Sequence, residues 1–348
     1  FNNLLSAMPE CICNLNIDWS GIDGAWYPYF AIGGNYLCEN LPECISNSEH
    51  LNTSLDQFIY SFMVEDPQNC DSLEVVFQTD WNLIGLPLEV EDPYYTAVFP
   101  NAIPGTLYLF DGTYTQTQEL INGTGYWLRF DEQAMVTITG NLIQELSINL
   151  ATDWNLISGI SEVLEVSQIT DPDNILIPGT FYGFEDTYNQ VSQLEPGKGY
   201  WVRTNNSGEI LLSASLRTTN MMKIVQVPED ANTIKYGDQI LYFGNEIEVE
   251  NPLSYSLPPK PLAPSTDIRF LGDTKLCSTD ECVIEVMNPN EVFHINYDLQ
   301  LCDNLELSQS SVSCGWKLVN EKTGKEYSLF GNGRIKITGN VSELILRK

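Results

Sequence analysis

From about residue 72 onward, apolar and polar positions alternate in short runs, and the runs return. FQTDWNLIGLPL at 77–88 is matched by LATDWNLISGIS at 150–161, IPGTLYLFDGTYTQTQEL at 103–120 by IPGTFYGFEDTYNQVSQL at 177–194, and GTGYWLRF at 123–130 by GKGYWVRT at 197–204. The blocks keep their order at a spacing of 73 or 74 residues, so residues 72–215 hold a tandem duplication. Within each block Trp81 and Leu83, like Trp154 and Leu156, fall on one face of a strand, while Asn82 and Asn155 fall on the other. Gly125 and Gly199 precede Tyr-Trp pairs, where a strand must start from a tight backbone. Turn residues separate the runs and no helical period is present, so each unit predicts about five or six strands. The framework residues Trp81, Trp154, Tyr126, Trp127, Tyr200 and Trp201 are expected to form the core of each repeat.

Two further regions flank the duplication. After residue 217, strand-sized runs (MKIVQV, QILYFG, LSYSL, DIRFL, CVIEVM, VFHINYDL, GWKLV, EYSLF, GRIKITG, ELILRK) alternate with Asn, Gly, Pro and Asp. They predict an antiparallel sandwich of the immunoglobulin-like kind. Pro258, Pro259, Pro261 and Pro264 stiffen an extended connection within it. Residues 1–70 are spaced differently: Asn3, Leu5, Met8, Pro9 and Ile12 are echoed by Asn35, Leu37, Leu41, Pro42 and Ile45. That pattern predicts stacked solenoid turns, each Asn satisfying backbone groups inside its turn. The aromatic stretch 19–30 reads as a local core. The expected plan is mainly β and multi-domain: a solenoid end and cap (1–70), β repeat 1 (71–143), β repeat 2 (144–216) and a β-sandwich (217–348).

These motifs carry resemblances. ICNL, NYLCENLPECI and the Asn-Cys pair at 69–70 resemble the cysteine-bearing C-terminal end of leucine-rich repeat proteins of bacterial surfaces, over about a fifth of the chain. Cys11 and the aromatic stretch depart from that pattern. The WNLIS and PGKGYWV combination resembles a spacer module of large secreted proteins of Bacteroidota and related phyla, and LPPKPLAPSTDIRF resembles a segment of the same families. The resemblance implies a spacer or scaffold module in proteins exported by type IX secretion, where this domain is commonly followed by a sorting domain; no enzymatic role follows from it.

Charge and cysteines narrow the setting. Net charge is −31, no Lys or Arg precedes Arg129, and about thirteen of the 16 cations lie from Arg217 onward. Such a surface repels nucleic acid and anionic membranes. Nine cysteines cluster at the two ends: Cys11, Cys13, Cys38, Cys44 and Cys70, then Cys277, Cys282, Cys302 and Cys314. With no Cys-x-x-Cys pair and two histidines they read as disulfides, hence an extracellular or cell-surface location. If neighbours pair, the last four form Cys277–Cys282 and Cys302–Cys314, and one of the first five is left over. Sequons at Asn52, Asn122, Asn205 and Asn340 fit exposed positions. No apolar run reaches membrane-spanning length. The Phe1 start, mid-repeat and without a leader, reads as a mature or trimmed product: either earlier repeats were removed, or another molecule covers the exposed solenoid face.

Chemistry is sparse. HExxH, G-x-S-x-G, P-loop and dinucleotide signatures are absent, and no catalytic residue is assigned. His50 and His294 read as structural and Lys198 as a surface residue. Calcium is the single cofactor candidate: Glu89, Glu91 and Asp92 in one repeat, and Asp171 and Asp173 in the other, place hard oxygen ligands on corresponding loops. The expected function is a non-catalytic extracellular structural or adhesion protein, with a filament or surface-layer subunit as its specific form and self-association through the solenoid end. The alternatives are a carbohydrate-binding module for cell-surface glycans and an accessory region of a secreted hydrolase.

Overall fold

The computed structural model describes residues 5–6, 10–21, 36–37, 42–47, 71–214, 225, 227–228, 231–245, 247–288, 290–299 and 315–348. The chain is mainly β, with several antiparallel sheets and, among the described residues, no barrel. It divides into two compact units: Phe1–Glu74 with Leu88–Glu91 and Thr137–Leu142, and Val75–Pro87 with Asp92–Val136 and Ile143–Lys348.

In the first unit, Leu5–Ser6 and Tyr36–Leu37 pair in parallel, Leu5 opposite Tyr36 and Ser6 opposite Leu37. A 3₁₀ turn at Glu10–Asn14 and a one-turn helix at Glu43–Ser46 are joined by the Cys13–Cys44 disulfide. Cys38 and Cys70 lie outside the described residues, as does His50.

In the second unit each repeat builds one four-stranded antiparallel sheet. Its centre is the pair Asp80–Gly85 and Gly125–Phe130 in the first repeat, and Asp153–Ser158 and Gly199–Thr204 in the second. A hairpin completes each sheet: Tyr108–Phe110 with Tyr114–Gln116, and Tyr182–Glu185 with Thr187–Gln190. Residues of both faces are buried, because one face packs on the repeat's own core and the other on the rest of the unit. In the second repeat Ile157, Tyr200, Val202, Ile210 and Leu212 form the private core. Leu156, Tyr182, Tyr188 and Trp201 point the other way into a large cluster with Leu83 and Trp127 of the first repeat.

That cluster continues into two five-stranded sheets at the C-terminal end. Alternation builds them: in Glu281–Met287, Cys282, Ile284 and Val286 are buried, and in Val292–Asp298, Phe293 and Ile295 are buried while His294 is half-buried. Two expectations fail here. LSYSL is not a strand but part of a 3₁₀ turn, Pro252–Tyr255. Asn251 accepts the Leu253 N–H and Pro252 stands at the first position, both signals for a helical start. Asn232–Tyr236, absent from the predicted runs, is a central strand. The Cys277–Cys282 disulfide is present, whereas Cys302 and Cys314 lie outside the described residues.

Candidate functional site

The duplicated framework is a set of braces. Each repeat opens its first central strand on an Asp in the left-handed region, Asp80 at φ 76° and Asp153 at φ 81°, a conformation that Asp tolerates better than most residues. Asn82 holds that turn by accepting the Gln78 N–H (2.9 Å) and donating to the carbonyls of Gln78 (2.7 Å) and Asp80 (3.0 Å). Asn155 repeats this on Ala151 and Asp153. The Asp80 carboxylate accepts from Arg129 Nε, and that of Asp153 from Arg203 Nε, at 2.6 Å in each repeat. Each guanidinium lies 5.8 Å from its own repeat's first Trp ring, Trp81 or Trp154. Thr106 and Thr180 donate to the carbonyls of Ile103 and Ile177, and Tyr126 and Tyr200 accept the N–H groups of Ile121 and Glu195.

The Tyr-Trp pair divides between two cores, which corrects the expectation that both residues fill their own repeat. Neighbours on a strand face opposite sides. Tyr200 enters its private core, and Trp201 packs edge-on against Phe110 (4.8 Å) and Tyr114 (6.4 Å) of the first repeat. Trp127 returns the contact on Phe184 (4.8 Å) and Tyr188 (6.5 Å). The backbones exchange bonds in the same reciprocal way. Gly85 N–H donates to the Gly197 carbonyl and Ser158 N–H to that of Gly123, each at 3.0 Å. The two repeats are therefore related as the halves of a self-complementary dimer fused in one chain.

This contact explains the glycines before Tyr126 and Tyr200 differently from the sequence reading. Neither has positive φ. A Cβ on Gly125 would collide with the Ile157 carbonyl, and one on Gly199 would lie 2.7 Å from the Ile84 carbonyl oxygen. The constraint is the other repeat's backbone.

The aromatic side chains form a cradle, and the proline-rich connection lies in it. Tyr188 donates to the Pro259 carbonyl (2.7 Å), Tyr114 to Lys260 (2.9 Å), Tyr182 to Ser256 (3.1 Å) and Trp81 Nε1 to Ala263 (2.8 Å). An extended proline-rich backbone makes no internal hydrogen bonds, so its carbonyls are free for such donors. Burial pushes the Tyr114 hydroxyl up to about 12 and raises Tyr182 and Tyr188 further. All three stay protonated and act as donors at neutral pH. From behind, fully buried Arg269 donates to the Pro258 carbonyl (2.7 Å), Asp267 (2.5 Å) and Asp273 (2.8 Å). Burial alone would lower its pKa, but the Asp267 charge and these bonds carry the net shift upward. Lys275 is buried, donates to Gln190 (3.1 Å) and lies 5.3 Å from the Tyr182 ring; burial lowers its pKa to about 8.

No protein-family model, curated protein or solved structure matches this chain.

The remaining candidates fall outside the cradle. Asp171 uses both carboxylate oxygens on the N–H groups of Ile175 (3.0 Å) and Leu176 (2.9 Å), and Asp92 accepts the Tyr94 N–H (3.0 Å). Glu89, Glu91 and Asp173 are exposed. Among the described residues no three carboxylate, His or Cys side chains gather where they could hold a metal ion. Lys198 pairs with Glu195 at 2.7 Å. No helix among the described residues is long and apolar enough to cross a membrane. Sequence reasoning missed Phe110, Phe184, Tyr114 and Tyr188 as contact residues, and Lys275 and Arg269 as buried cations. The four aromatics do recur at the 74-residue spacing, but a spacing does not say which repeat they touch.

Proposed function

We propose that this chain is a non-catalytic extracellular structural protein, the subunit of a filament or surface layer, in which the fused repeats and the C-terminal sheets act as one stiff joint. The observation that carries the reading is the use of the duplicated framework. Asp, Asn, Trp, Arg, Thr, Gly and Tyr kept in both repeats are occupied in turns, ion pairs and the contact between repeats. A scaffold needs this and a reactive site does not.

Three further features support it. The Cys13–Cys44 and Cys277–Cys282 disulfides fit an oxidising compartment. The parallel pairing of Leu5–Ser6 with Tyr36–Leu37 fits a leucine-rich solenoid. The proline-rich connection and the DIRF strand, joined through Arg269, fit the resemblance to secreted Bacteroidota proteins. Sedimentation velocity and negative-stain imaging of the full chain, kept oxidised, test the proposal. Elongated assemblies growing with concentration are expected; monomers at every concentration would remove the filament form.

A further inference from the structure

The outer face of one C-terminal sheet carries a cluster of cations that, among the described residues, enter no ion pair, with Asp298 in the neighbouring row. Its strands Gln239–Phe243, Asn232–Tyr236, Val292–Asp298 and Asn332–Thr338 are neighbours in that order. The register sets Lys235 opposite Asn296 and Asn296 opposite Arg334, with Lys336 opposite His294 in the next row. Lys235, Arg334 and Lys336 are exposed and, among the described residues, none enters an ion pair. Seven other cations, Arg129, Lys198, Arg203, Lys260, Arg269, Lys317 and Arg347, each meet a carboxylate, while Lys275 and Lys322 donate to neutral partners and Lys325 lies over a Tyr ring. Two apolar side chains flank the cluster, Val292 at 44% exposure and Phe330 at 58%. Apolar side chains beside charged ones suit a protein partner better than a uniform polyanion, which offers nothing to Phe or Val.

A surface of the opposite kind lies on the first repeat. Tyr94 (46% exposed) and Ile121 (64%) project there. Tyr94 is bridged to Glu119, and Asp92 accepts the Tyr94 N–H. Asp92 and Glu119 are exposed and, among the described residues, neither enters an ion pair. The first 128 residues contain 17 Asp and Glu and not one Lys or Arg, so no basic side chain from that stretch can answer them. The corresponding position in the second repeat is Glu195 in place of Ile121, and it pairs with Lys198. The apolar, acid-rimmed form is thus peculiar to the first repeat.

We infer that the Lys235–Arg334–Lys336 face of one chain docks on the Tyr94–Ile121 patch of another, the cations meeting Asp92 and Glu119 while Val292, in the row beside Lys336, covers the apolar residues. Among the described residues, neither surface is covered by its own chain. The contact joins two different surfaces, so it propagates head to tail rather than closing as a symmetric dimer. This rests on the structural reading above and adds the joint that the reading lacks.

The experiment uses two variants of the full chain, Arg334→Glu/Lys336→Glu and Glu119→Lys/Ile121→Asp. All four sites are exposed, so melting temperatures should match the wild type. By sedimentation velocity, each variant alone should associate at least about tenfold more weakly than the wild type, and the wild type should weaken as NaCl is raised. Mixed, the two should form a one-to-one heterodimer and nothing longer, because a single competent pair of surfaces remains. Wild-type assemblies that both variants reproduce would overturn the inference and leave the filament reading standing. Monomeric wild type would overturn both. Retention of the wild type on an immobilised anionic polysaccharide, lost in Arg334→Glu/Lys336→Glu without any self-association, would reassign the face to a glycan.

Discussion

In the first repeat Arg129 reaches Asp80 at 2.6 Å and Trp127 lies 4.8 Å from Phe184; in the second, Arg203 reaches Asp153 at 2.6 Å and Trp201 lies 4.8 Å from Phe110. The skeletons agree and the surroundings do not. The C-terminal sheets hold the second repeat through Tyr182 on Ser256, Arg203 on Ser256 Oγ, Thr266 on Asp186 and Lys275 on Gln190. On the first repeat they hold Trp81 and Tyr114 alone among the described side-chain hydrogen bonds. Duplication supplied two equivalent half-interfaces. Both meet the C-terminal part of the chain, the second through more side-chain hydrogen bonds than the first, while at the edge of the first repeat Tyr94 and Ile121 are exposed.

The severest challenge to this equivalence is truncation of either cradle tryptophan. Both are fully buried, so Trp127→Ala and Trp201→Ala should each cost about 3–5 kcal/mol. In chemical denaturation both should lower a single shared transition, since each ring packs in the opposite repeat. A loss confined to one variant would deny the reciprocity.

Next come the glycines. Gly125→Ala and Gly199→Ala should destabilise by about 1–3 kcal/mol each, although Ala normally favours a folded chain over Gly. Gly112→Ala, whose added Cβ would meet nothing within 4 Å, is a control for crowding. Its positive φ of 73° carries a backbone strain of its own, about 1–2 kcal/mol, to be subtracted in the comparison.

Lys275 separates the repeats by pH. Its pKa is lowered to about 8 in the fold, while an unfolded lysine titrates near 10.4. Between these values the unfolded chain binds more protons, so stability rises with pH across that window. Above about pH 10 the buried tyrosines, raised in the fold, reverse the trend because the unfolded chain ionises first. Melting temperature followed from pH 7.5 to 9.5 should climb in the wild type and stay flatter in Lys275→Met.

The smallest effects concern the proline-rich segment. Tyr188→Phe and Tyr114→Phe each remove one hydrogen bond to a carbonyl, worth about 0.5–1.5 kcal/mol. The larger loss is expected at Tyr188, which is 1% exposed against a half-buried Tyr114. Equal losses would show that the cradle binds the segment without regard to burial.

Much of the fold was legible. The period-2 runs around Trp81, Trp154, Tyr126 and Tyr200 became the central strand pairs, and the C-terminal alternation marked eight of the ten described strands from Asn232 onward, while MKIVQV falls mostly outside the described residues. It failed at LSYSL, where Asn251 and Pro252 outweigh the apolar spacing, and at NTIKY, whose polar face hid a central strand. The site was legible as residues and illegible as contacts.

By itself the sequence determined that the chain is β, that it repeats every 73 or 74 residues and that Trp, Tyr, Gly, Asp and Arg recur at fixed places. Local alternation and turn chemistry write these things residue by residue. Only the tertiary structure decided that Trp127 and Trp201 cross to the opposite repeat, that Gly125 and Gly199 answer a carbonyl 32 and 115 residues away (Ile157 and Ile84), and that the prolines lie under Tyr114 and Tyr188. A strand pattern says that a side chain leaves the strand on one face. It carries no term for what waits on that side, because burial is supplied by whichever surface, near or far in sequence, fits against it.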